Sequence, residues 1–160
     1  MSSANLSINI IYRKAKIDDW KGILKLYNSL SDEDLCLRFF AYHRLTEEEA
    51  KKIANTRDHY TLVAEYDNVI VGEASLYPDG ELAVVVAQPF RKYGIGTELV
   101  KRLIEYAKEH GMKAVKFYTL PENIPMIKIG KKLGFKITVR EDEVFAYLDL
   151  SNENVILEKS

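Results

Sequence analysis

The residues best suited to chemistry form one short stretch, in which an apolar run is followed at once by basic residues and glycines. Residues 82–87 are apolar, and they lead into Arg91-Lys92-Tyr93-Gly94-Ile95-Gly96, where an apolar pattern of helical spacing begins. Glycines let backbone N–H groups approach a ligand closely, and a helix N-terminus favours negative charge. The stretch therefore predicts a site for a diphosphate, with Arg91 and Lys92 supplying positive charge.

The backbone amides expected to face this diphosphate are consecutive in the chain, and the Thr97 hydroxyl can add a donor. They belong to Tyr93, Gly94, Ile95, Gly96 and Thr97. A Gly-x-Gly pair alone is weak evidence, but here a strand precedes it and a helix follows it. The stretch is not a Walker motif, because no Lys-Ser/Thr pair follows Gly96.

Arg-x-x-Gly-x-Gly after an apolar strand resembles the acetyl-CoA-binding motif of the GNAT superfamily of N-acetyltransferases. Asn123 and Lys132-Leu133-Gly134-Phe135 resemble the second signature of that superfamily. Residues 31–40, SDEDLCLRFF, are similar to the segment that opens the acetyltransferase domain of the Pat protein lysine acetyltransferases. The resemblance covers residues 9–150 and is closest to a stand-alone archaeal member of the Pat group.

The resemblance implies that acetyl-CoA is the co-substrate. Its amide-rich pantetheine arm would pair like an added strand with the backbone of Val84, Val85 and Val86, where their strand parts from its parallel neighbour. It also implies that Asn123 holds the pantetheine. From the residues alone Asn123 is a helix N-cap, and the two roles are compatible.

The acceptor amine must lose a proton before it attacks a thioester, because a lysine ε-amine titrates near 10.4. Glu81 is the first candidate base: it precedes Arg91 by ten positions, close to the spacing of the catalytic glutamate in histone-acetylating relatives. Glu73, in the preceding strand, is the second candidate. His43 could serve a proton relay. The alternatives are that Glu81 is a solvated turn residue and that His43 is an ordinary exposed loop residue.

The other steps of acetyl transfer have less definite candidates. A backbone N–H near Val86 is expected to stabilise the oxygen of the thioester. Many relatives protonate the leaving thiolate with a tyrosine seven residues after the motif asparagine, but that position is Gly130 here. The acid therefore stays open between Tyr118 and solvent. The only cysteine, Cys36, lies in an apolar helix, which favours packing and predicts direct transfer without an acyl-enzyme.

Size and composition fit one domain, which the resemblance implies is an N-acetyltransferase domain spanning residues 1–160. The 160 residues carry a formal net charge of −1, which implies no general attraction to nucleic acid. No His/Cys/Asp/Glu cluster has metal-ligand spacing, and no apolar run approaches the roughly 20 residues that span a bilayer. The N-terminus does not read as a signal peptide, so a cytoplasmic location is expected. Residues 1–7 and the tail from Ser151 are predicted to be loose.

The predicted order of elements is β-α-α-α-β-β-β-α-β-α-β-β, an α+β arrangement. Asp67-Asn68 predicts a tight hairpin turn, and the strand at 114–119 is expected to run parallel to the strand at 81–87. Residues 8–14 are predicted to form the first strand, and capping boxes are expected to begin helices after Ser31 and Thr46. The long helix is expected to bury a stripe of Leu99, Val100, Leu103, Ile104 and Ala107. This order matches the GNAT fold, a mixed and mostly antiparallel central sheet of about six or seven strands flanked by helices.

These observations favour an acetyl-CoA-dependent N-acetyltransferase that acts on a protein lysine. By resemblance, the acceptor could be a chromatin protein such as the archaeal Alba, or an acyl-CoA synthetase. Two alternatives stay open: the same chemistry on a small amine or a protein N-terminus, and a non-catalytic acyl-CoA sensor. The second alternative is left open by Gly130.

Overall fold

The computed structural model describes residues 8–151, and in that range the chain forms strands and helices in the predicted order. The strands are β1 (Ile11–Lys14), β2 (Tyr60–Tyr66), β3 (Val69–Leu76), β4 (Leu82–Val86), β5 (Ala114–Thr119), β6 (Lys136–Val139) and β7 (Val144–Asp149). The α-helices are α1 (Trp20–Asn28), α2 (Asp32–Phe39), α3 (Glu47–Ala54), α4 (Ile95–Glu109) and α5 (Ile124–Lys132). The terminal segments predicted to be loose lie outside the described residues, apart from Ser151.

The strands divide into two antiparallel sheets. β1-β2-β3-β4 form a four-stranded sheet, and β5-β7-β6 form a three-stranded one. The only pairing between the sheets within residues 8–151 is a parallel bridge from Glu81 to Lys116. The predicted α+β arrangement is confirmed, and the predicted central sheet is divided between β4 and β5.

Local sequence explains where several elements begin and turn. Ser31 and Thr46 open α2 and α3 through capping boxes, in which each side-chain oxygen accepts a hydrogen bond from a backbone N–H three residues later. The β2–β3 hairpin turns at Asp67 and Asn68, whose φ angles of 52° and 66° are the positive values that a type I′ turn requires. The predicted caps and turn are therefore present.

Apolar packing covers both faces of the four-stranded sheet. The predicted buried stripe of α4 lies on one face, and α1, α2 and α3 cover the other face. The stripe consists of Leu99, Val100, Leu103, Ile104 and Ala107. Removing this apolar surface from water stabilises the fold. Because both faces of the sheet are covered, β4 can contact a ligand mainly along its outer edge. No helix among the described residues is long and apolar enough to cross a membrane.

Candidate active site

The gap between β4 and β5 is the feature around which the candidate site is built. Where the strands meet, the Lys116 N–H donates to the Gly80 carbonyl at 2.9 Å. Gly80 has a φ of 91°, and a Cβ there would lie 2.7 Å from the Ala114 carbonyl oxygen, so a larger residue would push the strands apart. Beyond this point β4 and β5 follow different sheets, and β4 is left with an open edge.

The hydrogen-bonding pattern of β4 decides which backbone groups face the gap. The Ala87 N–H donates to the Val71 carbonyl of β3 at 2.8 Å. In an antiparallel pair, the polar groups of alternate residues point to the same neighbour. The backbone of Val85 is therefore directed to β3, while the backbones of Val84 and Val86 are directed to the gap. Of the three valines predicted to meet the pantetheine, Val84 and Val86 direct their main-chain groups to the open edge, where the Val86 carbonyl also accepts a hydrogen bond from Arg91 Nε at 2.9 Å.

The glycine turn, defined here as residues 93–97, places free backbone amides near the end of β4. Gly94 has a φ of 75°, and the first hydrogen bond of α4 runs from the Glu98 N–H to the Gly94 carbonyl at 3.0 Å. The N–H groups of Ile95, Gly96 and Thr97 precede that bond, so the helix leaves them without intrahelical acceptors. They are placed, with the positive end of the helix dipole, where an anion can accept hydrogen bonds.

The two glycines of the turn serve different purposes. A Cβ at Gly94 would have no heavy atom within 4 Å, so this glycine is needed for its backbone conformation. A Cβ at Gly96 would lie 3.1 Å from Ile129 Cδ1 of α5, so this glycine is needed for close packing. Tyr93, at the start of the turn, is half-buried, and its ring lies 6.3 Å from that of Phe90.

The two basic residues before the turn have different surroundings. Lys92 is exposed and adds positive charge to this end of the molecule. Arg91 donates through both terminal nitrogens to the carboxylate of Asp34 in α2. Burial alone would raise the pKa of Asp34, but the hydrogen bonds and charge of Arg91, together with hydrogen bonds to Ser31, outweigh burial, so this pKa lies below its usual value.

Asn123 joins the end of β5 to the start of α5. Its Oδ1 accepts a hydrogen bond from the Met126 N–H at 3.3 Å, which makes it the predicted N-cap. Its Nδ2 donates to the Thr119 hydroxyl at 2.9 Å. Asn123 is thus held at the β5 side of the gap, opposite the open edge of β4.

Glu81 lies at the point where the gap begins. Its backbone N–H donates to Asp79 Oδ1 at 2.9 Å, and its carboxylate makes no hydrogen bond to another described residue. The parallel pairing with Lys116 puts both side chains on the same face. The Glu81 carboxylate is therefore half-exposed at the mouth of the gap and has no fixed partner among the described residues.

Glu73 lies in β3 on the same face of the sheet, but it is only 1% exposed and is surrounded by donors. The Tyr27 hydroxyl donates to one carboxylate oxygen at 2.5 Å, and the Ser75 hydroxyl donates to the other at 2.6 Å. The Ser75 oxygen also lies 2.7 Å from that of Thr61. Burial raises the pKa of Tyr27 well above its ordinary value, so its phenol stays protonated and remains a donor.

Arg38 of α2 supplies the opposite charge near this carboxylate. Burial would lower the pKa of Arg38, but its interactions with Tyr27, Glu73 and Tyr77 outweigh burial and raise it, so the guanidinium stays charged. Its Nε is buried without a hydrogen-bond partner among the described residues. Glu73 therefore belongs to a buried polar cluster, defined here as Tyr27, Arg38, Thr61, Glu73 and Ser75.

His43 lies in the connection between α2 and α3. Its Nε2 is 2.8 Å from Glu49 Oε1, and its ring packs edge-on against Phe39 with centroids 5.3 Å apart. None of these contacts joins His43 to Glu73 or Glu81. The structure therefore gives His43 a local role between two helices and does not bring it together with the candidate carboxylates.

Gly130 shows why this chain lacks a tyrosine at that position. Gly130 is buried, and a Cβ there would lie 2.9 Å from Phe117 Cζ. Tyr118, the next residue of β5, is half-buried on the opposite face, the face of Lys116 and therefore of Glu81. Its ring packs against that of Phe145 at 5.0 Å, and its hydroxyl makes no hydrogen bond to a described residue.

The sequence arguments missed the buried polar cluster and the Arg91–Asp34 pair. The signal for the cluster was present, because Glu73 and Ser75 alternate in an otherwise apolar strand and Thr61 occupies the strand before it. Arg91 and Asp34 are 57 residues apart, and no local pattern connects them. Within residues 8–151, no group of three His, Cys, Asp or Glu side chains is placed to hold a metal ion. Cys36 is half-buried.

Known proteins resemble this chain in both sequence and fold. An uncharacterized N-acetyltransferase of Methanocaldococcus jannaschii is 42% identical over 53 residues, which cover 33% of this chain and 24% of that protein. The uncharacterized N-acetyltransferase YnaD of Bacillus subtilis is 22% identical over 138 residues, 79% of either chain. The first match thus spans about a quarter of the curated relative, whereas the second spans most of it.

Solved structures show the same fold at low sequence identity. The GNAT domain of S. lividans PAT superposes with a TM-score of 0.78 at 22% identity, covering 86% of this chain and 89% of that one. The structure of yncA from Salmonella typhimurium with its cofactor acetyl-CoA gives a TM-score of 0.73 at 22% identity, covering 88% and 94%. The model of the Acetyltransferase (GNAT) family matches residues 23–135, which include the strand gap, the glycine turn and Asn123. The chain therefore belongs to the GNAT family of acetyltransferases, whose co-substrate is acetyl-CoA.

Proposed function

We propose that this protein transfers the acetyl group of acetyl-CoA directly to a lysine ε-amine of a protein. The observation that carries the proposal is the open edge of β4, which runs from Glu81 past Val84 and Val86 into the free amides of the glycine turn. The extended pantetheine arm of acetyl-CoA carries amides and is joined to a diphosphate. This order matches the series of donors and acceptors along β4 and the glycine turn.

In this account the diphosphate accepts hydrogen bonds from the amides at the start of α4, and the pantetheine pairs with the backbone of Val84 and Val86. Val86 presents its N–H to the gap, where it can donate to the thioester oxygen as that oxygen gains charge. Asn123 bounds the opposite side of the gap. Lys92 adds positive charge close to the diphosphate.

Glu81 is the proposed base. It accepts a proton from the acceptor ammonium, and the neutral nitrogen then attacks the carbonyl carbon of the thioester. The C–N bond forms, the nitrogen releases its second proton to water, the C–S bond breaks, and the thiolate leaves with a proton from an acid or from water. Glu73 is not proposed as the base, because both of its oxygens accept hydrogen bonds inside the buried polar cluster.

Two likenesses support a protein acceptor: that of residues 31–40 to Pat lysine acetyltransferases, and that of the fold to the S. lividans PAT domain. A specific observation also favours a protein N-terminus, because the ribosomal-protein-alanine N-acetyltransferase of Brucella melitensis superposes with a TM-score of 0.74 at 22% identity. Alba or an acyl-CoA synthetase remains the proposed kind of lysine-bearing acceptor.

The experiment is to follow release of free thiol from acetyl-CoA in the presence of one acceptor at a time. A peptide with an internal lysine and a blocked N-terminus is compared with a lysine-free peptide with a free N-terminus, and with a polyamine. We expect release with the lysine peptide and a mass shift located on the ε-amine. Acetylation of only the free N-terminus or the polyamine would contradict the lysine proposal. Tight CoA binding without release would favour a sensor.

A further inference from the structure

Arg91 is one of the two basic residues before the glycine turn, yet its side chain makes its hydrogen bonds to Asp34 and to the Val86 carbonyl. Its Nη1 and Nη2 donate to the two carboxylate oxygens of Asp34 at 3.2 and 2.8 Å, and its Nε donates to the Val86 carbonyl at 2.9 Å. Two parallel bonds to one carboxylate are the strongest arrangement that a guanidinium makes. The charge of Arg91 is therefore balanced by Asp34, and its donors are directed away from the diphosphate.

Asp34 is itself held in place by its own helix. Its N–H donates to the Ser31 hydroxyl at 3.1 Å, and its carboxylate accepts from the Ser31 N–H at 3.4 Å, so it is the third helical residue of a capping box. Its side chain is only 17% exposed, compared with 38% for Arg91. The carboxylate thus holds Arg91 against the first turn of α2.

The two partners of Arg91 belong to different halves of the site. Val86 ends the open edge of β4, which is proposed to hold acetyl-CoA. α2 covers the face of the sheet that carries Glu73 and Glu81, because Leu35 packs into the same cluster as Val85. An acceptor amine must approach Glu81 from that face, so α2 borders the path of the acceptor.

We propose that Arg91 and Asp34 are positioning residues whose ion pair couples the binding of acetyl-CoA to the binding of the acceptor. A ligand along β4 that fixes Val86 also fixes Arg91, and through Asp34 it fixes the start of α2. Linkage then requires an acceptor on the α2 side to strengthen the binding of acetyl-CoA by the same factor. This inference rests on the proposed placement of the two substrates.

The test is a double-mutant cycle with Asp34→Asn and Arg91→Gln, in which CoA affinity is measured by calorimetry and the acceptor KM by thiol release. Asparagine keeps an oxygen that can accept from the Ser31 N–H, so the cap is retained. We expect each single variant to raise the acceptor KM about fivefold, the lower end of typical coupling. The double variant should be no worse than either one. CoA affinity without acceptor should change less than about threefold, because the amides of the turn are untouched.

Ser31→Ala is the matched control, since it removes the same cap without touching Arg91. It should leave the acceptor KM near the wild-type value. An equal rise in Ser31→Ala would show that the effect comes from the helix cap. Loss of CoA affinity of about tenfold or more in Arg91→Gln, with none in Asp34→Asn, would show that Arg91 binds phosphate. Either result would overturn the proposal.

The kinetic arm uses whichever amine the wild type acetylates, so failure of the lysine proposal does not affect it. If the wild type acetylates no amine, the proposed function fails, while binding of CoA and of the acceptor peptide is still measured by calorimetry. In that case, the ion-pair proposal would be contradicted if the two variants lost binding free energy additively and the coupling between CoA and the peptide did not change. That result would bear on the ion pair independently of the proposed function.

Discussion

Two carboxylates on the same face of the sheet have opposite surroundings. Glu73 is buried, accepts hydrogen bonds on both oxygens and lies near the charged Arg38. Glu81 is half-exposed at the mouth of the gap, and its carboxylate has no hydrogen-bond partner among the described residues. A buried carboxylate whose two oxygens both accept hydrogen bonds fixes the packing around it. A carboxylate without fixed donors at a gap can instead exchange a proton with a substrate, so the two are expected to differ in function.

The largest effect is expected from removing the charge of Glu73. Glu73→Gln leaves Arg38 buried without its counter-charge and presents an amide N–H₂ group to a hydroxyl donor. The free energy of unfolding should fall by about 3 kcal/mol, because two buried hydrogen bonds to a charged group are weakened and Arg38 loses a nearby opposite charge. Urea unfolding followed by circular dichroism measures it. A Glu73→Gln variant with wild-type stability but no turnover would contradict this assignment and would make Glu73, not Glu81, the base.

Glu81→Gln should have the complementary effect. Turnover is expected to fall about 100-fold, most strongly near neutral pH, because the acceptor ammonium then has no positioned base. Stability and CoA affinity should hardly change, since the carboxylate makes no bond within the described residues. Steady-state kinetics across pH, with unfolding as the control, measure both. A variant with wild-type rates would remove Glu81 from the mechanism.

Tyr118→Phe should have a smaller effect, and it tests which group protonates the leaving thiolate. Tyr118 shares the face of Glu81, and Gly130 leaves no room for a phenol on α5, so the Tyr118 hydroxyl and water are the two candidate donors to the leaving thiolate. We expect kcat to fall about tenfold with little change in the KM for acetyl-CoA, because water can partly replace the acid. Stopped assays of both parameters measure it.

Tyr147→Phe is the matched control for that experiment. Tyr147 lies on β7, pairs with Lys116 and presents a hydroxyl on the same face, but it is one strand farther from β4. Its loss should leave kcat unchanged. Equal losses in the two variants would point to a general effect of polarity on this face, and no loss in either would leave water as the acid.

Much of the fold followed from local patterns in the sequence. The buried stripe of α4, the capping boxes of α2 and α3 and the Asp67-Asn68 turn each depend on residues within a few positions of one another. β5 was predicted with its observed bounds, because its alternation is regular. β1 begins at Ile11 and not at Ile8 as predicted, because its apolar pattern continues before the pairing with β2 begins.

The candidate site was less predictable because its contacts join distant parts of the chain. The glycine turn could be identified from the sequence, but the direction of the Val85 backbone depends on its pairing with β3. The buried surroundings of Glu73 depend on α1 and α2, and the balanced charge of Arg91 depends on Asp34. Periodicity within one segment carries no information about which segment will cover it.

The most direct test of the central claim, that acetyl-CoA binds along β4 with its diphosphate at the glycine turn, is calorimetry of CoA with Gly94→Asp and Gly94→Asn. A side chain fits at this position, and asparagine tolerates its positive φ, so the asparagine variant should bind nearly as the wild type does. The aspartate carboxylate would face the diphosphate, so binding should weaken about 100-fold. Equal affinity in the two variants and the wild type, or no binding of CoA by the folded wild type, would contradict the account.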